Sequence, residues 1–185
     1  MIEKSPEITG SLYKPGDQLL KGNIMNIHGR VGGAVSGFDV NLELSGDELE
    51  GRIGGTVVGK DVDLRFQSGQ VSGRIGGQVV GFDITGSFDA TAMRLRFGGA
   101  TLGDDLNLAM DGRLAIGRFS GSVLGKDVRL EAVEGGVAGR IGGEVDGKDV
   151  HLHGSAPLEV LTLAAVVAFR ALEDHHRAAA RRSSS

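Results

Sequence analysis

The chain has no cysteine, no tryptophan, one tyrosine and three prolines in 185 residues, and its formal charges cancel to −4. Without cysteine there is no disulfide framework, no thiolate metal site and no cysteine nucleophile. With a single tyrosine and no tryptophan, platforms on which bases or sugars stack are scarce, and the small negative charge speaks against a general nucleic-acid binder. Met1 to Gln18 holds no apolar run of the secretory kind, so the cytoplasm is the expected compartment. What is present is ordinary in bulk: 40% hydrophobic and 24% charged residues, enough for one domain with a sizeable core. The 32 glycines are the exception. They recur every 22 residues rather than every third, which excludes collagen and flexible linker alike.

The 22-residue period runs without insertion from Gly29 to about Gly154. Aspartate recurs at Asp39, Asp61, Asp83, Asp105, Asp127 and Asp149, and arginine at Arg30, Arg52, Arg74, Arg96, Arg118 and Arg140. One supersecondary unit is therefore used six times. In the copy Gly51 to Ser72, apolar and polar residues alternate from Ile53 to Val57 and again from Val62 to Phe66, which predicts two strands per copy. Gly59-Lys60 reads as the hairpin loop between them. Gly46-Asp47, Ser68-Gly69, Gly112-Arg113 and Glu134-Gly135 read as the tight turns that join one copy to the next. The result is an antiparallel meander.

Comparing the copies with one another predicts the register. Leu42 falls opposite Gly51, Leu64 opposite Gly73, Leu108 opposite Gly117 and Leu130 opposite Gly139. At one place bulk changes sides, Gly86 replacing the leucine and Leu95 the glycine, so the summed volume is kept. In the same register each aspartate lies diagonal to the arginine of the following copy, Asp39 to Arg52 and so on. Leu152 then needs Gly29, and Asp149 needs Arg30. Both rows ask the last strand to meet the first, which predicts a closed mainly β barrel of about twelve strands. The rival architecture is a parallel β-solenoid with a cap helix, built for assembly or adhesion, since strict phase suits stacked coils too.

A barrel of twelve strands is too wide for its own side chains to fill. The glycine positions Gly33, Gly55, Gly77, Gly99, Gly121 and Gly143 are expected to face inward and leave room for another backbone. After Ser155-Ala156-Pro157, a helix start, Leu158 to Leu172 is apolar on nearly every side, interrupted only by Glu159, Thr162 and Arg170. Such a helix is buried, and it is too short to span a bilayer. The chain then divides into an N-terminal segment 1–28 that adds a strand or a tail, the repeat barrel 29–154, the buried helix 155–176 and a basic, serine-ended tail 177–185.

The segment Pro157-Leu158-Glu159-Val160-Leu161-Thr162-Leu163-Ala164-Ala165-Val166-Val167-Ala168, followed by Glu173-Asp174-His175-His176, resembles the end of bacterial LURP-one-like proteins. With its six hairpins, the chain resembles the tubby-like barrel superfamily of tubby C-terminal domains, LURP-one-related proteins and phospholipid scramblases. The resemblance implies a twelve-stranded antiparallel barrel threaded by a hydrophobic C-terminal helix. The cationic phosphoinositide site of tubby proteins and the calcium and palmitoylation segments of scramblases have no matching residues here.

Candidate functional residues gather at one rim, where Phe38, Lys60, Phe82, Asp104, Lys126 and Lys148 follow the glycines of the repeat. As exposed aromatic and basic tips they would meet an anionic lipid surface or a protein partner. The alternative is that Phe38 and Phe82 fold over the mouth and cap the helix. His151 and His153 share a strand face and His175 and His176 follow the helix, but a zinc site needs three or four ligands, so no metal is expected. The repeated GRIGG segments lie within strands rather than once between strand and helix, unlike a phosphate loop. No catalytic constellation and no cofactor site stands out. The expectation is a non-enzymatic, monomeric binding or scaffolding barrel.

Overall fold

The computed structural model describes residues 24–99, 103–120 and 125–183. The strands are β1 (Met25–Val31), β2 (Phe38–Ser45), β3 (Glu48–Gly54), β4 (Gly59–Gln67), β5 (Gln70–Gly76) and β6 (Gly81–Phe88). They continue with β7 (Ala92–Gly98), β8 (Gly103–Met110), β9 (Leu114–Phe119), β10 (Lys126–Val133), β11 (Gly136–Ile141) and β12 (Lys148–Gly154). Each strand pairs antiparallel with its sequence neighbours, and β12 pairs with β1, which closes a twelve-stranded barrel. The closed meander excludes the solenoid. The first strand begins at Met25, earlier than the repeat phase alone suggests, and the rest of the N-terminal segment lies outside the described residues.

The leucine–glycine register holds at every predicted pair, including Gly86 opposite Leu95 and, across the seam, Gly29 opposite Leu152. The reason is steric. A Cβ on Gly51 would stand 2.3 Å from the Asn41 carbonyl oxygen, and its φ of +140° suits no other residue. The partner leucine fills the space that the glycine leaves.

Two details differ from the sequence reading. The loops at the far end of each hairpin are longer and lie earlier. Gly54 pairs with Gly59, so residues 55–58 form the tip and Gly59 and Lys60 already belong to β4. Val57 therefore leaves the strand, and Gly33, Gly55, Gly77 and Gly143 sit on exposed tips instead of facing inward. The ion pairs also join residues directly opposite within one hairpin: Arg30 with Asp39, Arg52 with Asp61, Arg74 with Asp83, Arg96 with Asp105, Arg118 with Asp127 and Arg140 with Asp149. Adjacent placement brings the carboxylate nearer than the diagonal one. The Asp149 side chain thus needs nothing from Arg30, and of the two rows only the leucine–glycine one crosses the seam.

A single helix, α1 (Leu158–Ser183), enters at the rim of tight turns and runs through the barrel. Residues from Glu159 to Phe169 are all buried, as are Ala171 and Leu172. The helix continues through the segment expected as a tail, with Arg177, Arg181 and Arg182 exposed beyond the core. Its backbone runs closest to β11, β12, β1, β2 and β3, so it lies off the barrel axis. The opposite wall fills the wider gap with larger side chains: Phe66, Phe82, Phe88, Met93, Phe97 and Phe119. Among the described residues no helix is long and apolar enough to cross a membrane. The wall itself turns apolar residues inward and charged ones outward, the reverse of a membrane-spanning barrel.

Candidate functional site

The two rims of the barrel are unlike. One carries the tight turns, such as Gly46-Asp47, Ser68-Gly69 and Glu134-Gly135, where the strands pair up to the flanking residue. At Asp89 and Asp111 the carboxylate caps its own turn: Asp89 accepts from the Thr91 hydroxyl and from the Thr91 and Ala92 amides, Asp111 from the Arg113 and Leu114 amides. Those bonds hold both carboxyls below the usual carboxylate range. This rim receives the helix and carries two exposed ion pairs, Arg65 with Glu48 and Arg113 with Glu131, both at 2.8 Å.

The other rim is a crown of longer tips around the emerging helix. Each tip is clamped from below by its repeat arginine, which binds its aspartate and donates to tip carbonyls. Arg74, for example, reaches Asp83 Oδ1 at 2.6 Å and the carbonyls of Gly77 and Gln78 at 3.1 Å. Arg30 does the same with Gly33, Ala34 and Gly37, and Arg140 with Gly143 and Glu144. The arginine row is thus not a surface for polyanions. It organises the tips, with the aspartate holding the guanidinium in place.

The clamped tips present valine. Val35, Val57, Val79 and Val145 occupy equivalent positions and are 94–101% exposed, and Val58 and Val80 beside two of them are exposed as well. The sequence reading missed this crown by assigning Val57 to a strand. The available signal was the glycine bracket, Gly54-Gly55 before and Gly59 after, which leaves no room for a strand residue at 57.

The residues expected as exposed tips are elsewhere. Phe38, Lys60 and Phe82 are strand residues only 7–8% exposed, turned inward at the mouth beneath the crown. The rings cap the helix: Phe38 lies 5.6 Å from His175 between centroids, and the Arg170 guanidinium lies 5.1 Å from the Phe82 centroid. Lys60 Nζ pairs with Asp174 Oδ2 at 2.9 Å and sits 5.7 Å from the Phe82 centroid. Asp104 takes Arg170 Nε at 2.7 Å, off the N–H direction and so as an ion pair, and accepts from Ser120 Oγ at 2.6 Å. Lys126 binds Asp146 on the neighbouring tip, and Lys148 is half-buried at the same level. Burial opposes ionisation of Asp174, but the hydrogen bond and charge of Lys60, with the charge of Arg170, outweigh it and hold the carboxyl below its usual range. Asp146 is lowered by Lys126. The mouth is therefore a latch between barrel and helix.

The histidines separate into two places. His28 and His153 face one another across the seam on the outer wall at 5.7 Å between centroids, with His151 opposite Arg30. His175 and His176 lie at the helix exit. Among the described residues no three His, Cys, Asp or Glu side chains are placed to hold a metal ion. An open cleft of about 410 Å³ lies between the first two tips and the helix, lined by Val35, Phe38, Val58, Leu172, His175 and His176. In the GRIGG segments amides serve strand pairing and the tip, as where Gly55 N–H donates to the Val58 carbonyl. No family model, curated protein or solved structure matches the chain.

Proposed function

We infer that this chain is a non-enzymatic binding module that meets its target, a lipid surface or a protein, through the crown of hairpin tips. One observation carries the reading: four equivalent valines stand fully in solvent on loops whose backbone is fixed by arginine clamps. Isolated surface valines are ordinary. The same exposed position repeated around one rim, on loops held in place, is a prepared apolar contact surface. Phe38, Lys60 and Phe82 serve it indirectly by fixing the helix that fills the mouth, while Lys126 and Lys148 border it.

The reading extends to a monomeric, cytoplasmic module related to the tubby-like barrels. What supports that kinship is architecture, a twelve-strand meander around a C-terminal helix, and architecture alone does not carry function across. The assembly reading loses its basis, because a closed barrel has no terminal coil on which another could stack.

The test is a photo-crosslinking residue placed at Val57 or Val79 of the full chain in its native cells, against the same residue at the outward-facing Glu50. Adducts at the crown and none at Glu50 are expected. Equal labelling at both, or none at the crown, removes the crown as the contact surface.

A further inference from the structure

Resting on that reading, we propose that the crown seats on an anionic bilayer surface, its tip valines entering the headgroup layer and its helix-end arginines facing the lipid phosphates. Two features of the crown point to this occupant. First, the apolar side chains form an arc of four neighbouring tips along the helix end instead of a compact patch. A protein partner would need a matching curved surface, and protein interfaces draw their energy from clustered aromatic and arginine anchors, with valine under-represented. Here the aromatic candidates Phe38 and Phe82 are buried. A bilayer offers a plane that meets these four tips together and asks for no shape match.

Second, charge and apolar groups reach the same height. From Lys60 to Val57 the strand and tip rise by about 10 Å at most. From Asp174, which pairs with Lys60, to Arg181 the helix rises by about 10 Å too. Arg181 and Arg182 are exposed near the level of the valines and Arg177 is exposed about one turn below them, and no acidic residue follows Asp174 on the helix. Apolar tips with adjacent arginines complement an anionic interface, where each cation close to the surface adds attraction that salt screens. Glu144 and Asp146 flank Val145 and make that tip the weakest of the four.

The experiment is co-sedimentation of the full chain with vesicles of phosphatidylcholine alone and with about one-third phosphatidylserine. The wild type is expected to bind the anionic vesicles and to be released by salt. Combining Val35→Ser, Val57→Ser, Val79→Ser and Val145→Ser should weaken binding on the order of 50-fold, from the apolar area withdrawn. Combining Arg177→Gln, Arg181→Gln and Arg182→Gln should weaken it about five-fold per arginine and flatten the salt dependence. Both variants alter exposed side chains, so an unchanged thermal melt certifies the fold. Absence of binding to anionic vesicles, binding indifferent to lipid charge, or an unaltered valine variant each overturns the proposal. If vesicles are not bound while a crosslinker at Val57 captures a protein, the bilayer is wrong and the crown reading stands. If both experiments are blank, both fall.

Discussion

The two walls of the barrel hold one helix by different means. On the near wall, β11, β12, β1, β2 and β3, backbone and helix approach closely, and apart from Phe38 at the mouth the large inward side chains are valine, isoleucine and leucine. On the far wall the gap is wider and is spanned by long side chains. Of the six phenylalanines in the barrel, Phe66, Phe82, Phe88, Phe97 and Phe119 belong to β4, β6, β7 and β9, and Phe38 alone to the near wall. Ring contacts run from Phe82 to Phe97 at 6.2 Å, from Phe97 to Phe119 at 5.0 Å and on to Phe169 of the helix at 5.6 Å. The polar contacts at the mouth, Lys60 with Asp174 and Asp104 with Arg170, also reach from the far wall. A sixfold repeat that must enclose a single off-axis helix has to break its own repetition. It does so where the helix is distant: Phe97 and Phe119 stand where the near wall has Val31, Ile53 and Ile141.

The largest expected effect comes from disturbing the exchange of bulk on the far wall. Gly86→Leu alone sets two leucines against each other, since even a Cβ at this position lies 2.2 Å from the Arg94 carbonyl oxygen and 2.9 Å from the Leu95 side chain. It should cost about 3 kcal/mol or more. Adding Leu95→Gly returns the hairpin to the pattern of its neighbours and should recover most of the loss in urea denaturation. A double variant no more stable than the single one would mean that volume across this pair is not what sets the register.

Next come exchanges between the walls. Phe97→Ile gives the far wall a near-wall residue and should cost about 1–2 kcal/mol through the gap it opens. Ile53→Phe does the reverse and should cost about 1–3 kcal/mol by crowding the helix. If Ile53→Phe is harmless while Phe97→Ile is not, the near wall is looser than its composition suggests, and the comparison between the walls fails on one side.

These exchanges also mark how much was legible in the sequence. Glycine opposite leucine is a one-to-one volume rule, so it fixed the register, and one exception, Gly86 with Leu95, strengthened it. Closure followed from Gly29 and Leu152. The ion-pair row, though read correctly as a row, carried the wrong partners, because a loop at Gly59-Lys60 sets Asp61 opposite Val58, and only a tip at 55–58 brings Asp61 opposite Arg52. The crown was lost through periodicity. Ile53, Gly55 and Val57 alternate as a strand would, yet Gly54 with a φ of +91° and the close approach of Gly59 bend the chain before Val57. Lys60 was misplaced for a related reason, since an inward-facing residue beside a predicted turn reads as exposed until the turn is moved three residues back, whereas Phe38 and Phe82 follow the alternative in which the rings cap the helix.

The smallest of these effects concerns the latch. Asp174→Asn leaves Lys60, whose side chain is 9% exposed, without its carboxylate, but the Asp174 side of the pair is 37% exposed, so solvent screens the loss. The expected destabilisation is about 1 kcal/mol at neutral pH. Its pH dependence identifies the cause. The folded protein holds this carboxyl below its ordinary range, so the stability it contributes is complete above the unfolded carboxyl value and disappears as pH falls through the lowered one. Wild type and Asp174→Asn should therefore differ in urea midpoint at pH 7 and converge toward pH 3. A constant difference across that range would assign the effect to altered packing at the mouth. The far wall would then hold the helix through its rings alone, and the ion pairs would be a consequence of the helix position rather than one of its causes.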